Sequence, residues 1–181
     1  MNDGITYVHA LKKRRQSMAK FLFNPSVMTF TTTVPDMKPS EGIQKICGFT
    51  RGLSFHQVNY PPYWHISNSI VLGCNRSSQA SWVKLWMYGY SNGVHFQEAL
   101  GVFEAGTEID VAEYWDVKRG MASIDICNTL GEFASMSAPI LSKTLPIGWL
   151  LGNYAEIDNT NKQTPFHCPV EDLRVNGRVV K

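Results

Sequence analysis

Three carboxylates lie close together between positions 108 and 113 of the chain. The segment Glu108-Ile109-Asp110-Val111-Ala112-Glu113 has the pattern E-x-D-x-x-E. Retaining glycosidases use a nucleophile and an acid/base about 5–5.5 Å apart, and a neighbouring carboxylate can tune the pKa values of such a pair. The spacing of Glu108, Asp110 and Glu113 could supply such a set of carboxylates.

The strand that contains these residues decides whether they can act together. Side chains alternate between the two faces of a β-strand, so Glu108 and Asp110 share one face. Glu113 falls on the other face, with Ile109 and Val111, unless a β-bulge shifts the register. Without a bulge, the carboxylates at 108 and 110 face water, the aliphatic residues point into a core, and Glu113 ends the strand.

The same segment resembles the active-site strand of family-16 glycoside hydrolases, which implies cleavage of β-glucans. Leu173–Gly177 resembles a late strand of that family. However, those hydrolases are longer chains, and their Gly-Trp-Pro-Ala-like stretch before the motif has no counterpart here. We therefore predict a strand without catalytic residues. The alternative is the hydrolase that the resemblance implies, with Glu108 as nucleophile, Glu113 as acid/base and Asp110 as the third carboxylate.

Turn and strand signals run through most of the chain, and helical periodicity is nearly absent. Asn92-Gly93 separates two β-type segments, a pattern that predicts a hairpin because the favoured turn needs positive φ at both central residues. The only predicted helix is Glu41–Cys47, with Ser40 as its N-cap and Gly48 after its end. The predicted strands are Val27–Val34, Ser69–Cys74, Trp82–Tyr90, Val94–Phe103, Glu108–Tyr114, Ala122–Cys127, Ile147–Tyr154 and Val170–Val175. This spacing predicts an all-β, single-domain β-sandwich of jelly-roll type.

The composition is that of a globular protein: of 181 residues, 44% are hydrophobic and 12% aromatic. No apolar run approaches the roughly 18 residues that span a bilayer, and the first ten residues do not resemble a signal peptide. The cysteines and histidines lack the short spacing of a structural zinc site. We therefore predict no metal site, no cofactor and no membrane association.

Positive charge is concentrated near the start of the chain. Residues 1–20 contain five basic residues and one acidic residue, a net charge of +4, which leaves −2 for the remainder of a chain whose net charge is +2. We predict a basic N-terminal arm over 1–20 and a β-sandwich domain over 21–181. Lys12, Lys13, Arg14 and Arg15 are the predicted binding residues of the arm, for acidic groups on a partner. The body lacks a continuing basic stripe, so nucleic acid is not the expected partner.

Aromatic residues cluster around the segments 60–64 and 82–90. On the strand at 82–90, Trp86 and Tyr88 share a face with Trp82 and Tyr90, while Val83, Leu85 and Met87 share the other. Trp and Tyr are enriched at interfaces. We therefore predict Tyr63, Trp64, Trp86 and Tyr88 as binding residues, for a protein partner or for carbohydrate.

Three stretches resemble a group of small, uncharacterised all-β proteins of bacteroidete bacteria and their tailed phages. They are Ile43–Phe49, His65–Gly73 and the region from Gly148 to Phe166. Val71 and Cys74 stand where that group has arginine and tryptophan. The resemblance spans about residues 27–175 and implies a jelly-roll module that serves in a virion as a capsid decoration, fibre or tail-associated protein.

From these patterns we predict a non-enzymatic structural or binding module, located in the virion and produced in the host cytoplasm. Its expected partners are other structural proteins of a capsid or tail, or further copies of itself. A family-16-like glucanase and a carbohydrate-binding module are the alternatives.

Overall fold

Antiparallel strands make up most of the chain that the computed structural model describes, which is residues 5–8, 17–39, 42–51, 68–91, 94–140, 146–152 and 167–180. The strands are β1 (Ile5–Val8), β2 (Ser17–Phe23), β3 (Val27–Thr33), β4 (Gln44–Thr50), β5 (Ser69–Asn75), β6 (Trp82–Ser91), β7 (Val94–Glu104), β8 (Glu108–Asp116), β9 (Met121–Asn128), β10 (Phe133–Pro139), β11 (Ile147–Gly152), β12 (His167–Val175) and β13 (Arg178–Val179). Within these ranges there is no helix, and so none of a length and hydropathy that would cross a membrane.

The strands form two sheets. The seven-stranded sheet has the order β1-β12-β3-β8-β9-β10, with β13 paired to β12, and the six-stranded sheet has the order β2-β11-β4-β5-β6-β7. Several neighbours in these orders are distant in sequence, as when β12 pairs with β3. The fold is an antiparallel β-sandwich of jelly-roll type, as the strand spacing predicts.

The core lies between the inner faces of the two sheets. Burial alternates along the central strands, because successive side chains point to opposite faces. Phe30, Val111 and Ile124 from the seven-stranded sheet belong to one buried apolar cluster with Phe49 and Leu72 from the six-stranded sheet. This cluster holds the sheets together, and the alternate side chains of β6 and β8 point away from it.

The predicted strands are confirmed, with end points that differ by a few residues. The predicted hairpin is confirmed by the pairing of β6 with β7, in which Ser91 is the partner of Val94. Its turn residues, Asn92 and Gly93, lie outside the described residues. The strands that sequence patterns missed are β1, β2, β4, β10 and β13.

The predicted helix over 41–47 is wrong, because Gln44–Thr50 is strand β4. All seven residues of β4 are buried. The strand lies between β11 and β5, which would lose their backbone hydrogen-bond partners if this segment were helical. A strand that is covered on both faces shows no apolar–polar alternation that would identify it as a strand. Without that alternation, Ser40 as an apparent N-cap and Gly48 as an apparent helix end favour a helix.

The division of the chain at residue 20 does not coincide with the end of a strand. Ser17–Phe23 forms β2, which pairs with β11, and Ile5–Val8 forms β1, which pairs with β12. The basic residues 12–15 lie in sequence between these two strands, outside the described residues.

Candidate binding face

Strand β6 separates an apolar side from an aromatic side. Val83, Leu85 and Met87 are fully buried in the core, whereas Trp86 and Tyr88 alternate with them and are half-buried on the outer face. The predicted division of this strand into two faces is therefore confirmed.

Neighbouring strands extend this aromatic surface on both sides. In the pairing registers, Gly73 of β5 is the partner of Trp86, and His95 of β7 is the partner of Tyr90. We call the outer surface formed by Lys45, Asn75, Trp82, Lys84, Trp86, Tyr88, Tyr90 and His95 the aromatic face. It occupies the middle and one side of the six-stranded sheet.

Trp86 is held by contacts on two sides. Its Nε1–H donates a hydrogen bond to Asn75 Oδ1 at 2.8 Å, and the ammonium of Lys84 lies 4.2 Å from the centroid of its ring. Such a cation–π contact is weakly favourable at an exposed site. Gly73 has no side chain beside this ring, where a Cβ would lie 2.4 Å from Ile43. The ring is thus fixed in orientation while it stays partly exposed.

Tyr88 is the centre of a second cluster. Its ring centroid lies 4.7 Å from that of His95 and 5.9 Å from that of Tyr90, which it meets edge to face. The two tyrosine hydroxyls are 3.2 Å apart, and the ammonium of Lys45 lies 4.3 Å from the Tyr88 ring centroid. Hydroxyl, imidazole and ring surfaces therefore lie side by side, a mixture that suits a ligand with both apolar and polar groups.

A β-bulge in β4 accounts for the position of Lys45. The register between β4 and β5 shifts between Lys45 and Cys47. Ile46 and Cys47 both belong to the buried core although they are consecutive, and Lys45 contacts the outer-face ring of Tyr88. An unbroken strand would alternate these residues differently.

The three carboxylates of the E-x-D-x-x-E segment do not converge. Strand β8 pairs with β3 and with β9 without a register shift, so no bulge moves Glu113. Glu108 and Asp110 are exposed on the outer face of the seven-stranded sheet, while Glu113 is 0% exposed on the core side. The arrangement required by the hydrolase alternative, three carboxylates lining one cleft, is absent. Glu113 also does not end the strand, which runs to Asp116.

Glu113 makes one hydrogen bond across the core. Its Oε1 accepts the backbone N–H of Leu72 in β5 at 2.9 Å, and its Oε2 has no partner among the described residues. Burial raises the pKa of Glu113 well above its usual range, and the Leu72 N–H, which lowers the pKa, does not offset this effect. A proton on this carboxyl removes the cost of a buried charge.

The outer face of the seven-stranded sheet has a different character. A shallow groove of about 410 Å³ lies there, and its lining includes Asp110, Asp125 and Asp172. Thr31 donates a hydrogen bond to Asp110 at 2.7 Å, and Ser135 donates one to Asp125 at 2.5 Å. Sequence reasoning found Asp110 but not this groove, because its residues come from β3, β8, β9, β10 and β12.

The other predicted binding residues lie outside the described residues: Lys12, Lys13, Arg14, Arg15, Tyr63 and Trp64. Among the described residues, no group of three or more His, Cys, Asp or Glu side chains is placed to hold a metal ion.

Comparisons with known proteins identify the fold and no family. No protein-family model matches the chain, and neither does any curated protein. The alginate lyase of Klebsiella pneumoniae is similar in structure, with a TM-score of 0.59 and 7% identity over 84% of this chain. The chain spans 59% of that lyase.

Two further solved structures lead to the same conclusion. The exolytic alginate lyase of Zobellia galactanivorans has a TM-score of 0.57 and 6% identity, over 98% of this chain and 85% of its own. Scytalido-glutamic peptidase has a TM-score of 0.50 and 15% identity, over 89% of this chain and 81% of its own. At such identities only the fold is shared. Polysaccharide lyases and a peptidase have it in common, so the function of this chain has to be inferred from its own residues.

Proposed function

We propose that the protein is a non-catalytic binding module that binds carbohydrate through the aromatic face, and that it serves as a structural component of a phage virion. The first part is based on the geometry of β6, and the second on the sequence resemblance and on the charge distribution.

The observation that supports carbohydrate binding is the row of aromatic rings on the outer side of a strand whose inner side already forms the core. Trp82 is 50% exposed, and Trp86, Tyr88 and Tyr90 are half-buried. Rings of this kind offer flat apolar surfaces on which the C–H faces of a sugar can stack, and Trp and Tyr add a polar group at the ring edge. Asn75 and His95 supply further polar groups beside the rings.

The charges of the aromatic face favour binding over glycoside hydrolysis. Hydrolysis by the common mechanism needs two carboxyl groups about 5–10 Å apart, on either side of the scissile bond. Among the described outer-face positions of β5, β6 and β7 that are in register with the rings, the only carboxylate is Glu104, the partner of Trp82. Lys84 contributes positive charge instead, so a sugar with carboxylate or sulfate groups is a favoured ligand.

Glycan binding by matched variants tests this part of the proposal. Neutral and acidic polysaccharides would be compared for binding to the wild-type protein and to Trp86→Ala and Tyr88→Ala. We expect each substitution to weaken binding at least tenfold, about 1.4 kcal/mol, because a central aromatic contact is lost. Tyr114→Ala is the matched control, since Tyr114 is half-buried on the outer face of the other sheet.

Two results would contradict the proposal. Equal loss of binding in Tyr114→Ala would place the ligand elsewhere or indicate a general loss of structure. Release of shorter sugars from any of these polysaccharides by the wild-type protein would show that the module is catalytic.

The virion role is supported by the resemblance to proteins of bacteroidete bacteria and their tailed phages, and by two features that suit attachment. The basic residues Lys12–Arg15 can meet acidic groups of a partner. Phe21 and Phe23 on β2 are 55% and 74% exposed, and can supply apolar contact. The proposed partners are other capsid or tail proteins, or further copies of this chain, and neither membrane nor nucleic acid.

Mass spectrometry of purified virions tests this role. We expect the protein at a stoichiometry of several copies per particle, in a genome where its gene lies beside portal, capsid or tail genes. Its absence from purified particles, together with a gene placed among polysaccharide-degrading enzymes, would overturn the virion role and leave the binding proposal intact.

A further inference from the structure

The bulge in β4 coincides with an unusual hydrogen bond in β5. Across the register shift, Lys45 is the partner of Gly73 and Cys47 is the partner of Leu72. The N–H of Leu72 donates to the side chain of Glu113, which comes from the opposite sheet. The pairing of β5 with β6 is regular at this point, with Leu72 opposite Met87. The interruption of the ladder therefore lies on the β4 side.

A bulge leaves its extra residue unpaired and locally disrupts the ladder, and the N–H of Leu72 lies beside this disruption. A buried N–H without an acceptor is costly. Glu113 supplies that acceptor, and its full burial is otherwise unexplained, since an aliphatic residue would fill the core at lower cost.

The bulge determines what β4 presents on each side. Ile46 and Cys47 both enter the core, and Lys45 is turned to the outer face, where its ammonium lies 4.3 Å from the Tyr88 ring. Tyr88 in turn contacts Tyr90 and His95. The buried hydrogen bond and the aromatic face are thus connected through a single strand.

We propose that Glu113 is a positioning residue for the aromatic face: by accepting the Leu72 N–H it stabilises the β4 bulge, which holds Lys45 against Tyr88. The proposal rests on the proposed function in one respect, namely that the aromatic face binds a ligand. The positioning itself is a property of the protein without ligand.

Three substitutions separate positioning from a general contribution to stability. Glu113→Gln keeps an oxygen acceptor at the same reach. Glu113→Asp keeps the carboxyl but is one methylene shorter, and Glu113→Leu keeps the volume without an acceptor. If the hydrogen bond from the Leu72 N–H stabilises the bulge, Glu113→Gln preserves the bulge, whereas Glu113→Asp and Glu113→Leu lose it. If residue 113 only fills volume in the core, Glu113→Leu is the most stable of the three variants.

Two measurements without ligand report on the bulge. Hydrogen exchange measures how often the Leu72 amide loses its hydrogen bond. Mass spectrometry measures the rate at which an added reagent acetylates Lys45, which is 3% exposed and therefore protected in the wild type. In the Glu113→Asp and Glu113→Leu variants we expect the exchange rate of the Leu72 amide and the acetylation rate of Lys45 to be at least tenfold higher than in the wild type. In Glu113→Gln both rates should stay within threefold of the wild-type rates. Lys118, in the β8–β9 turn, is the internal control, and its acetylation should not change.

Unchanged Lys45 acetylation in folded Asp and Leu variants would overturn the proposal. The proposal would also be overturned if the Leu72 amide exchanged as fast in Glu113→Gln as in Glu113→Leu. If Glu113→Leu does not fold, the comparison of Glu113→Gln with Glu113→Asp tests the positioning role, because these two side chains are both polar and differ in the reach of the acceptor.

A binding measurement then tests the connection to the ligand site, with any polysaccharide that the wild-type protein binds. Glu113→Leu should weaken binding about tenfold in the wild-type background and less than twofold in a Lys45→Met background, because its effect passes through Lys45. Equal losses in both backgrounds would overturn the connection. If the wild-type protein binds no polysaccharide, the proposed function fails, while the exchange and acetylation results still decide the positioning role.

Discussion

At the scale of single residues, the role of Glu113 follows from the face of the strand on which it lies. The hydrolase alternative needs a bulge in β8 that would bring Glu113 beside Glu108. The structure has a regular β8 and a bulge in β4 instead. The sequence pattern shows where carboxyl groups are, but a register shift depends on pairing with distant strands, which a short motif does not encode.

The buried carboxyl of Glu113 predicts a specific dependence of stability on pH. Its folded-state pKa is raised above the usual value of 4.5, so the folded protein binds this proton more tightly than the unfolded chain does. The resulting stabilisation is complete below pH 4.5 and is lost as the pH rises towards the folded-state pKa. Relative to Glu113→Gln, the melting temperature of the wild type should therefore fall from acidic to alkaline pH, as measured by thermal unfolding in a series of buffers.

The difference between the two melting curves isolates Glu113 from all other titrating groups. Asp110→Asn is a suitable control, because Asp110 is exposed on the same strand. A wild type that becomes more stable than Glu113→Gln as the pH rises would contradict the direction of the pKa shift.

The cysteines provide a second prediction at this scale. Burial raises the pKa of the Cys168 thiol to about 11, with a smaller opposing effect of its hydrogen bond with Thr32. Burial also raises the pKa of Cys74 well above its usual range. Because the thiolate is the reactive form, both should be alkylated by iodoacetamide at pH 8 at least tenfold more slowly than the half-buried Cys127. Peptide mass spectrometry measures these rates, and equal rates in the native protein would show that the core opens readily.

At the scale of strands, β4 shows the limit of local patterns. Its sequence has a helix-start signal before it and a glycine inside it. Gly48, however, serves close packing: a Cβ there would lie 2.2 Å from the backbone oxygen of Ile70 and 2.6 Å from the Cα of Val71. The same residue type can mark the end of a helix or a close approach of two strands, and only the tertiary structure distinguishes them.

Gly48→Ala should therefore destabilise the protein although it adds a single methyl group. The Cβ would meet the backbone of β5, which cannot move without breaking the β4–β5 pairing. We expect a loss of about 1–3 kcal/mol or more in the free energy of unfolding, measured by urea denaturation. Ser137→Ala, on the exposed side of β10, is the control and should change stability by about 0.5 kcal/mol or less. A Gly48→Ala protein as stable as that control would show that β4 and β5 are further apart than described.

Asn-Gly pairs mark two of the turns between neighbouring strands in this chain. Asn92-Gly93 correctly predicts the β6–β7 hairpin, and the same signal at Asn176-Gly177 would have predicted the turn between β12 and β13, where both residues have positive φ. Strand β10 gives no such signal, because Phe133–Pro139 is an edge strand whose residues are mostly exposed and include no β-branched side chain. Strong turns and the strands that flank them are thus predictable from sequence, including the edge strand β7, whereas the fully buried strand β4 and the edge strand β10 are not.

At the scale of the whole molecule, the fold class was predictable from the sequence, and the proposed binding face was predictable in part. Alternation along β6 separates Trp86 and Tyr88 from the core without knowledge of the fold. The contribution of Lys45 and the contact between Glu113 and Leu72 were not predictable, since each joins strands that are far apart in sequence. The sandwich uses one sheet's outer face for aromatic residues and the other's for aspartates and hydroxyls, and this difference supports a ligand on the first.

Attachment of the protein to an assembly is best tested by removing charge rather than by deleting the N-terminal residues. Removing residues 1–20 would remove β1 and part of β2, which pair with β12 and β11. The fourfold variant Lys12→Gln, Lys13→Gln, Arg14→Gln and Arg15→Gln keeps both strands. Exposed ion pairs each contribute only about 0–1 kcal/mol, so on this proposal the four basic residues act together with the apolar contacts of Phe21 and Phe23.

We expect this fourfold variant to keep the wild-type melting temperature and to enter virions at no more than a tenth of the wild-type level, measured by quantitative mass spectrometry of purified particles. The control is Lys118→Gln with Arg119→Gln, which removes two charges from the exposed β8–β9 turn. Incorporation of the fourfold variant at the wild-type level would show that the basic residues do not dock the protein. The attachment surface would then lie on the sandwich, where Phe21 and Phe23 are the exposed apolar residues to substitute next.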